Sequence, residues 1–337
     1  MRQHLTILLL IVAGILFFLQ LIYSSVYFPP AAVWNAVWQA DKGSAISQIV
    51  WQSRLPSAIT ASLAGAALGI SGLCMQAIFR NPLAGPYVLG ISSGSSLGVA
   101  LLVLGAGKWG LQSLSSHPAG LLFSALTGAI LTFALVYVIW TKIQQSVGML
   151  IIGIMLSGFI QSGIDILQAS ATSESLQNFV SWSFGSFSHS RLSDCLWLGL
   201  VVIVGCAVVS QMSRGMNLIL LGDQQAASAG LPAVAFKQRI ALLTCLLTAA
   251  VTAFCGPIAF VGIASPHLAR LLTRSAEHHR IFWPTLLTGA VLCEVCNLLQ
   301  HTGILGLHIP LNSLLSLVGA PFMIWLVMKK DGHAILP

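Results

Sequence analysis

Several small groups of side chains in this 337-residue sequence are of types that could do chemistry. Asp165 sits late in an apolar run, with Gln161 one helical turn before it. Glu294, Asn297 and His301 recur at i, i+3 and i+7, which puts them on one face of a helix. Ionisable groups inside apolar segments are costly, so such a stripe serves either a proton or metal path or a satisfied hydrogen-bond network. It borders a loop and can reach water, which favours hydrogen bonding. His267, just after Pro266, reads as a residue that fixes its helix. Cys293 and Cys296 have the spacing of a redox or zinc pair, but they stand alone within an apolar run. The other thiols, Cys74, Cys195, Cys206, Cys245 and Cys255, also fall in or beside apolar runs. All seven read as small buried hydrophobes, and no metal site is expected. Gly107-Lys108 lacks the features of a phosphate loop: Trp109 follows it, and Leu102 stands where the earlier glycine is required. The expectation is a chain with no catalytic residues, not an enzyme, and with no cofactor of its own.

The elements that position these groups are membrane spans. The chain is 56% hydrophobic and 7% charged, with mean hydropathy +0.90, against about 25% charged residues in soluble domains. Hydropathy predicts an all-α polytopic fold of ten spans at roughly 20 residues each. They fall near 5–28, 55–79, 88–106, 119–140, 147–169, 195–212, 240–256, 257–273, 281–300 and 312–328. Pro257 and Pro266 interrupt the seventh and eighth, where a broken helix is expected inside protein. The first run, preceded by Arg2, is long enough to be a retained span. With the N-terminus inside, Arg2, Arg80, Lys142, Arg214, Lys237, Arg239, Arg270, Arg274, Arg280, Lys329 and Lys330 are cytoplasmic. Lys42, Arg54, Lys108 and Arg191 are outside. That asymmetry predicts both termini in the cytoplasm. The net charge of +7 is therefore a topology signal, and nucleic acid is excluded as a partner. Small residues every four positions (Ala61, Gly65, Gly69; Gly90, Gly94, Gly98) predict close helix packing.

One stretch breaks the apolar pattern. Residues 214–240 are small, polar and helix-compatible, punctuated by Gly222, Gly230 and Pro232. This is too long for a turn and too short for a domain, and it suits a pair of short helices under the membrane, presented to another protein. On the opposite side, Trp182, Phe184 and Phe187 form either an interfacial aromatic belt or a substrate rim. We read them as a belt beside a short outer helix.

Several motifs carry a resemblance. Arg54-Leu55-Pro56, Gly65-Ala66-Ala67-Leu68, Ser71-Gly72, Gln76, Arg80-Asn81-Pro82-Leu83-Ala84 and Leu89-Gly90-Ile91-Ser92-Ser93-Gly94 come first. Leu221-Gly222-Asp223, Ala226-Ala227-Ser228 and Gly230-Leu231 follow, then the run Gly256–Gly262, Pro266-His267-Leu268-Ala269-Arg270 and Gly319-Ala320-Pro321-Phe322. In this order the sequence resembles the iron-chelate (siderophore or haem) and cobalamin permeases of ABC importers, from about residue 50 to the end. The resemblance implies one permease domain over 1–337 in a bacterial cytoplasmic membrane, paired with a second copy. Two cytoplasmic ATPases would bind the ATP and Mg, and a substrate-binding protein would dock outside. It implies that Leu221, Gly222, Asp223, Ala226, Ala227, Ser228, Gly230 and Leu231 form the ATPase-coupling surface within 214–240. Gln145, Ser146 and Val147 would close the cytoplasmic gate, and the fifth span would line the pathway. Arg54, with Ser57 and His301 at positions where the family often has arginine, would meet the binding protein. The alternative function is a stand-alone proton-coupled transporter using Asp165 or Glu294.

Overall fold

Long apolar runs leave the backbone no water to bond, so its polar groups must pair within the segment, and helices result. The computed structural model describes residues 2–24, 26–38, 44–110, 112–115, 117–143, 146–188, 190–302 and 309–328. Every regular element among the described residues is a helix. In order these are α1 (Arg2–Ile22), α2 (Pro30–Trp38), α3 (Ala45–Ile49), α4 (Leu55–Phe79), α5 (Ile91–Trp109), α6 (Gln112–Ser115), α7 (Pro118–Ile143) and α8 (Ser146–Ala169). Then come α9 (Ser173–Ser183), α10 (Leu192–Leu221), α11 (Asp223–Ser228), α12 (Ala233–Cys255), α13 (Val261–Thr273), α14 (His278–Thr302) and α15 (Leu311–Met328). A π-helical turn, Val50–Arg54, joins α3 to α4. Among the described residues, seven helices are long and apolar enough to cross a membrane, and two shorter apolar stretches, Ile91–Ala106 and Leu311–Phe322, accompany them.

Helix α4 is the axis of the bundle: it is buried along nearly its whole length, and α10, α12, α13 and α14 pack around it. Its small residues explain why. A Cβ at Gly65 would stand 2.1 Å from the Gly289 carbonyl oxygen, and one at Gly72 would stand 1.6 Å from that of Gly262. Only glycine lets α13 and α14 approach so closely, as expected where lipid supplies no hydrophobic force between helices. The second glycine series does the same for α5 and α7, where a Cβ at Gly98 would stand 2.0 Å from the Ser124 carbonyl oxygen. The outward faces of α7, α8 and α10 expose Leu131, Phe159, Leu196 and Trp197, a surface suited to lipid.

Three boundaries differ from the expectation. Helix α1 stops at Ile22 although the apolar run continues to Phe28, because the carbonyls there are bonded by Arg54. Helix α10 runs on to Leu221 and α12 begins at Ala233, so the connector is residues 222–232. It holds a single short helix, α11, and not a pair of them. The break at Pro257 is present: α12 ends at Cys255 and α13 starts at Val261, while Pro266 lies inside α13. Protein groups satisfy the broken backbone. Asn312 Nδ2 donates to the carbonyls of Pro257 (2.6 Å) and Ser183 (3.2 Å), its Oδ1 accepts from the Ala259 N–H, and the Phe260 N–H donates to the Tyr87 hydroxyl at 3.1 Å. That is the condition under which irregular backbone is tolerated at such depth.

Candidate functional site

Helices α4 and α14 run antiparallel, so they sort the polar residues into two clusters, one at each end of the bundle. At the end where α4 finishes, α11 hangs between two glycines, Gly222 (φ 131°) and Gly230 (φ 84°). Both lie in the left-handed half of the backbone map, which other residues rarely adopt. Ala226 is fully buried and seats the short helix, and the Leu231 N–H closes the turn onto the Ala226 carbonyl at 2.9 Å. Leu221, Ala227, Ser228 and Gly230 are exposed, while Gly222, Asp223 and Leu231 are half-buried. The eight expected coupling residues therefore divide: Ala226 is the root of the helix, and Ala227 and Ser228 lie on its uncharged outer face.

Asp223 does not stand free on that face. Its Oδ1 and Oδ2 each accept from Lys237 Nζ at 2.8 Å, and Oδ1 also pairs with Arg80. Arg80 Nε donates to the Ile219 carbonyl at 2.8 Å, in the last turn of α10. Nearby, Arg270 donates to Gln76 Oε1 at 2.6 Å, and the His278 N–H donates to Asn217 Oδ1 at 2.9 Å. In the sequence, Arg80 reads as a topology cation and the start of the Arg80–Ala84 motif, and Lys237 as a topology cation alone. Their spacing from Asp223 (143 residues before it and 14 after) gives no local signal of the cluster.

At the other end, Arg54 is 7% exposed. Its guanidinium donates to the carbonyls of Leu21 (2.7 Å), Ile22 (2.9 Å) and Val26, and lies 3.9 Å over the Phe28 ring. It ties the end of α1 and the following turn to α4. Ser57 is buried and exchanges hydrogen bonds with Asn297, whose Nδ2 also donates to Gln20 Oε1 at 2.6 Å. His301 Nδ1 lies 2.8 Å from the Asn297 carbonyl, so Nδ1 carries the proton and Nε2 accepts from Ser188 Oγ at 2.8 Å in the neutral ring. Gln20, Arg54, Ser57, Asn297 and His301 line a small polar cleft.

Between the ends, Glu294 is buried and accepts from Ser62 Oγ at 2.5 Å, while its Oε2 has no partner among the described residues. The Glu294–Asn297–His301 stripe is thus largely a hydrogen-bond network. Asp165 is exposed on α8 and accepts from Gln161 at 2.9 Å. His267 Nδ1 lies 3.0 Å from the Ile263 carbonyl, as expected of a helix-fixing residue. Of the expected gate, Ser146 and Val147 open α8, and Gln145 lies outside the described residues. Phe187 is fully buried in the core, so it leaves the expected aromatic belt, whereas Phe184 is exposed beside α9. All seven cysteines are free and buried, and no metal-holding group is found among the described residues.

The described residues form an all-helical bundle, tightly packed by glycines and carrying a short helix between two long ones, with helices long and apolar enough for a multi-pass membrane protein. The chain belongs to the FecCD transport family, whose model matches residues 9–329. It is 31% identical over 301 residues to the hemin transport system permease protein HmuU of Yersinia pestis, covering 88% of each chain. It is 33% identical over 285 residues to the molybdate import system permease protein MolB of Haemophilus influenzae, covering 84% of this chain and 81% of that one. Its fold is similar to a solved chain described as an inward-facing metal-chelate type ABC transporter. That match has a TM-score of 0.83 and 28% identity, with 98% of this chain and 100% of the other covered.

Proposed function

We propose that this chain is the permease subunit of an ABC importer that moves an iron-siderophore, haem or cobalamin-type chelate by alternating access. The observation that carries the reading is α11: a short helix with a small, uncharged outer face, set between glycine hinges at one end of a bundle that matches a transport family almost end to end. A protruding helix of this kind fits a groove on another protein. Residues 221–231, inside the wider 214–240 stretch, would dock on the ATPase, which supplies ATP and Mg binding from a separate subunit. The chain would act as one permease domain, as a homodimer with two ATPases below and a binding protein above, in a bacterial inner membrane. We read the chain as ten crossings with both termini on the ATPase side; seven described helices that are long and apolar enough to cross, with the shorter apolar helices Ile91–Ala106 and Leu311–Phe322, support that reading. Ser146 and Val147, with Gln145, would form the gate at the start of α8.

The outer docking surface is the end that carries Arg54, Ser57 and His301. Arg54 and Ser57 are buried, whereas His301, though bonded on both ring nitrogens, is half-buried at the cleft, so His301 and the cleft rim are the parts of that trio left to meet a binding protein. Substrate class is assigned from the chelate-type relatives. The molybdate relative at similar identity agrees with selection residing in the binding protein.

Ala227→Arg tests the reading, because residue 227 is exposed and the change leaves the packing under α11 alone. Co-purification with the ATPase subunit should be lost while the permease retains its melting temperature. Undiminished co-purification would remove α11 from the ATPase contact.

A further inference from the structure

We infer that Asp223 is the inward anchor of the coupling helix, fixing α11 through Arg80 and Lys237 to the ends of α4, α10 and α12 so that its displacement is delivered to the bundle. This rests on the reading of 221–231 as the ATPase contact. A helix of six residues between two glycines has little of its own to push with. Backbone at Gly222 and Gly230 turns easily, and Ala226 supplies only a small seat. The rigid connection is ionic. Lys237 is 3% exposed, and both carboxylate oxygens of Asp223 lie 2.8 Å from its ammonium. A buried ammonium is stable only beside its counter-ion. The carboxylate is therefore held by Lys237, although its side chain stays 45% exposed and Ala227, four residues on, shares its side of the helix.

Arg80 extends the link. It is the left-handed cap of α4 (φ 48°), and its own N–H bonds the Gln76 carbonyl. Its guanidinium straddles two helices by holding the Ile219 carbonyl of α10 and the Asp223 carboxylate of α11. Gln76, one turn earlier, accepts from Arg270 of α13. Movement of α11 thus meets α12 through Lys237, α10 and α4 through Arg80, and α13 one step beyond. Asp223, Arg80 and Lys237 are thus positioning residues for coupling, acting through α10, α12 and α4.

The test uses the full complex of permease, ATPase and binding protein in lipid vesicles, reading ATPase co-purification, ATP hydrolysis and substrate moved per ATP. Asp223→Asn keeps the shape of the side chain and removes the charge. Arg80→Gln, at a partly exposed side chain, is the second variant should the first fail to fold. Arg80→Gln, outside the docking residues, should retain co-purification and basal hydrolysis, and in both variants substrate moved per ATP should fall at least about fivefold, the lower end of ordinary coupling between sites. Asp223→Glu should recover most of the transport. Wild-type transport per ATP in Asp223→Asn or Arg80→Gln would overturn the anchor. Loss of co-purification in step with transport would also overturn it, making Asp223 a direct ATPase contact. Neither result touches the coupling surface itself, which stands or falls with Ala227→Arg.

Discussion

Replacing Arg54 by alanine separates two roles that a sequence cannot distinguish, a docking cation and an internal clamp. The guanidinium donates to three backbone carbonyls and lies over Phe28. Hydrogen bonds from a charged donor contribute about 1.5–3 kcal/mol each when measured singly. Bonds that share one donor group are not additive, and the adjoining cleft beside Gln20, Tyr23 and Ser24 lets water reach some of the freed carbonyls. The structure therefore supports a loss of about 2–4 kcal/mol for Arg54→Ala, below the simple sum of its bonds. Arg54→Lys should fall between, because an ammonium keeps the charge but cannot match the fork that reaches Leu21, Ile22 and Val26 together. Denaturant unfolding in one defined micelle, with binding-protein affinity measured in parallel, reads both quantities. Unchanged stability with lost affinity would refute the clamp and restore Arg54 to the docking surface.

Gly72→Ala should destabilise the bundle by about 1–3 kcal/mol or prevent its folding, since the new Cβ would lie 1.6 Å from the Gly262 oxygen. Gly14→Ala, where a Cβ meets nothing within 4 Å, should leave the melting temperature unchanged or higher. Tyr87→Phe should cost about 1–3 kcal/mol by stranding the Phe260 N–H, read by denaturant unfolding.

Much of the architecture was legible because it depends on local pattern. The bounds of α4 follow from an unbroken run of apolar and small residues between Arg54 and Arg80, and the break before α13 follows from Gly256-Pro257. Where chain-distant contacts decide, pattern was insufficient. Residues 23–28 are apolar enough to extend α1, yet the helix stops where Arg54, about thirty positions later, captures the carbonyls. Residues 214–221 looked like a connector because they include Arg214 and Asn217, but α10 simply continues to Leu221, reaching 30 residues. A crossing needs about 20, so α10 is longer than a crossing requires. The candidate site followed the same rule. The position of the connector that holds α11 was visible in its composition, whereas the ion pairing of Asp223 depends on Arg80 and Lys237 meeting across three helices. The stripe of Glu294, Asn297 and His301 was visible as a helix face. Its partners Ser62, Ser57, Gln20 and Ser188 come from other helices or loops.

The most direct measurement is uptake of labelled ferric chelate, haem or cobalamin into vesicles that contain this chain, with its ATPase and binding protein added or withheld. Uptake that requires ATP, the ATPase and the binding protein together, and that ignores an imposed proton gradient, is the expected result. Uptake by the chain alone, driven by a proton gradient and abolished by Asp165→Asn or Glu294→Gln, would contradict the importer assignment.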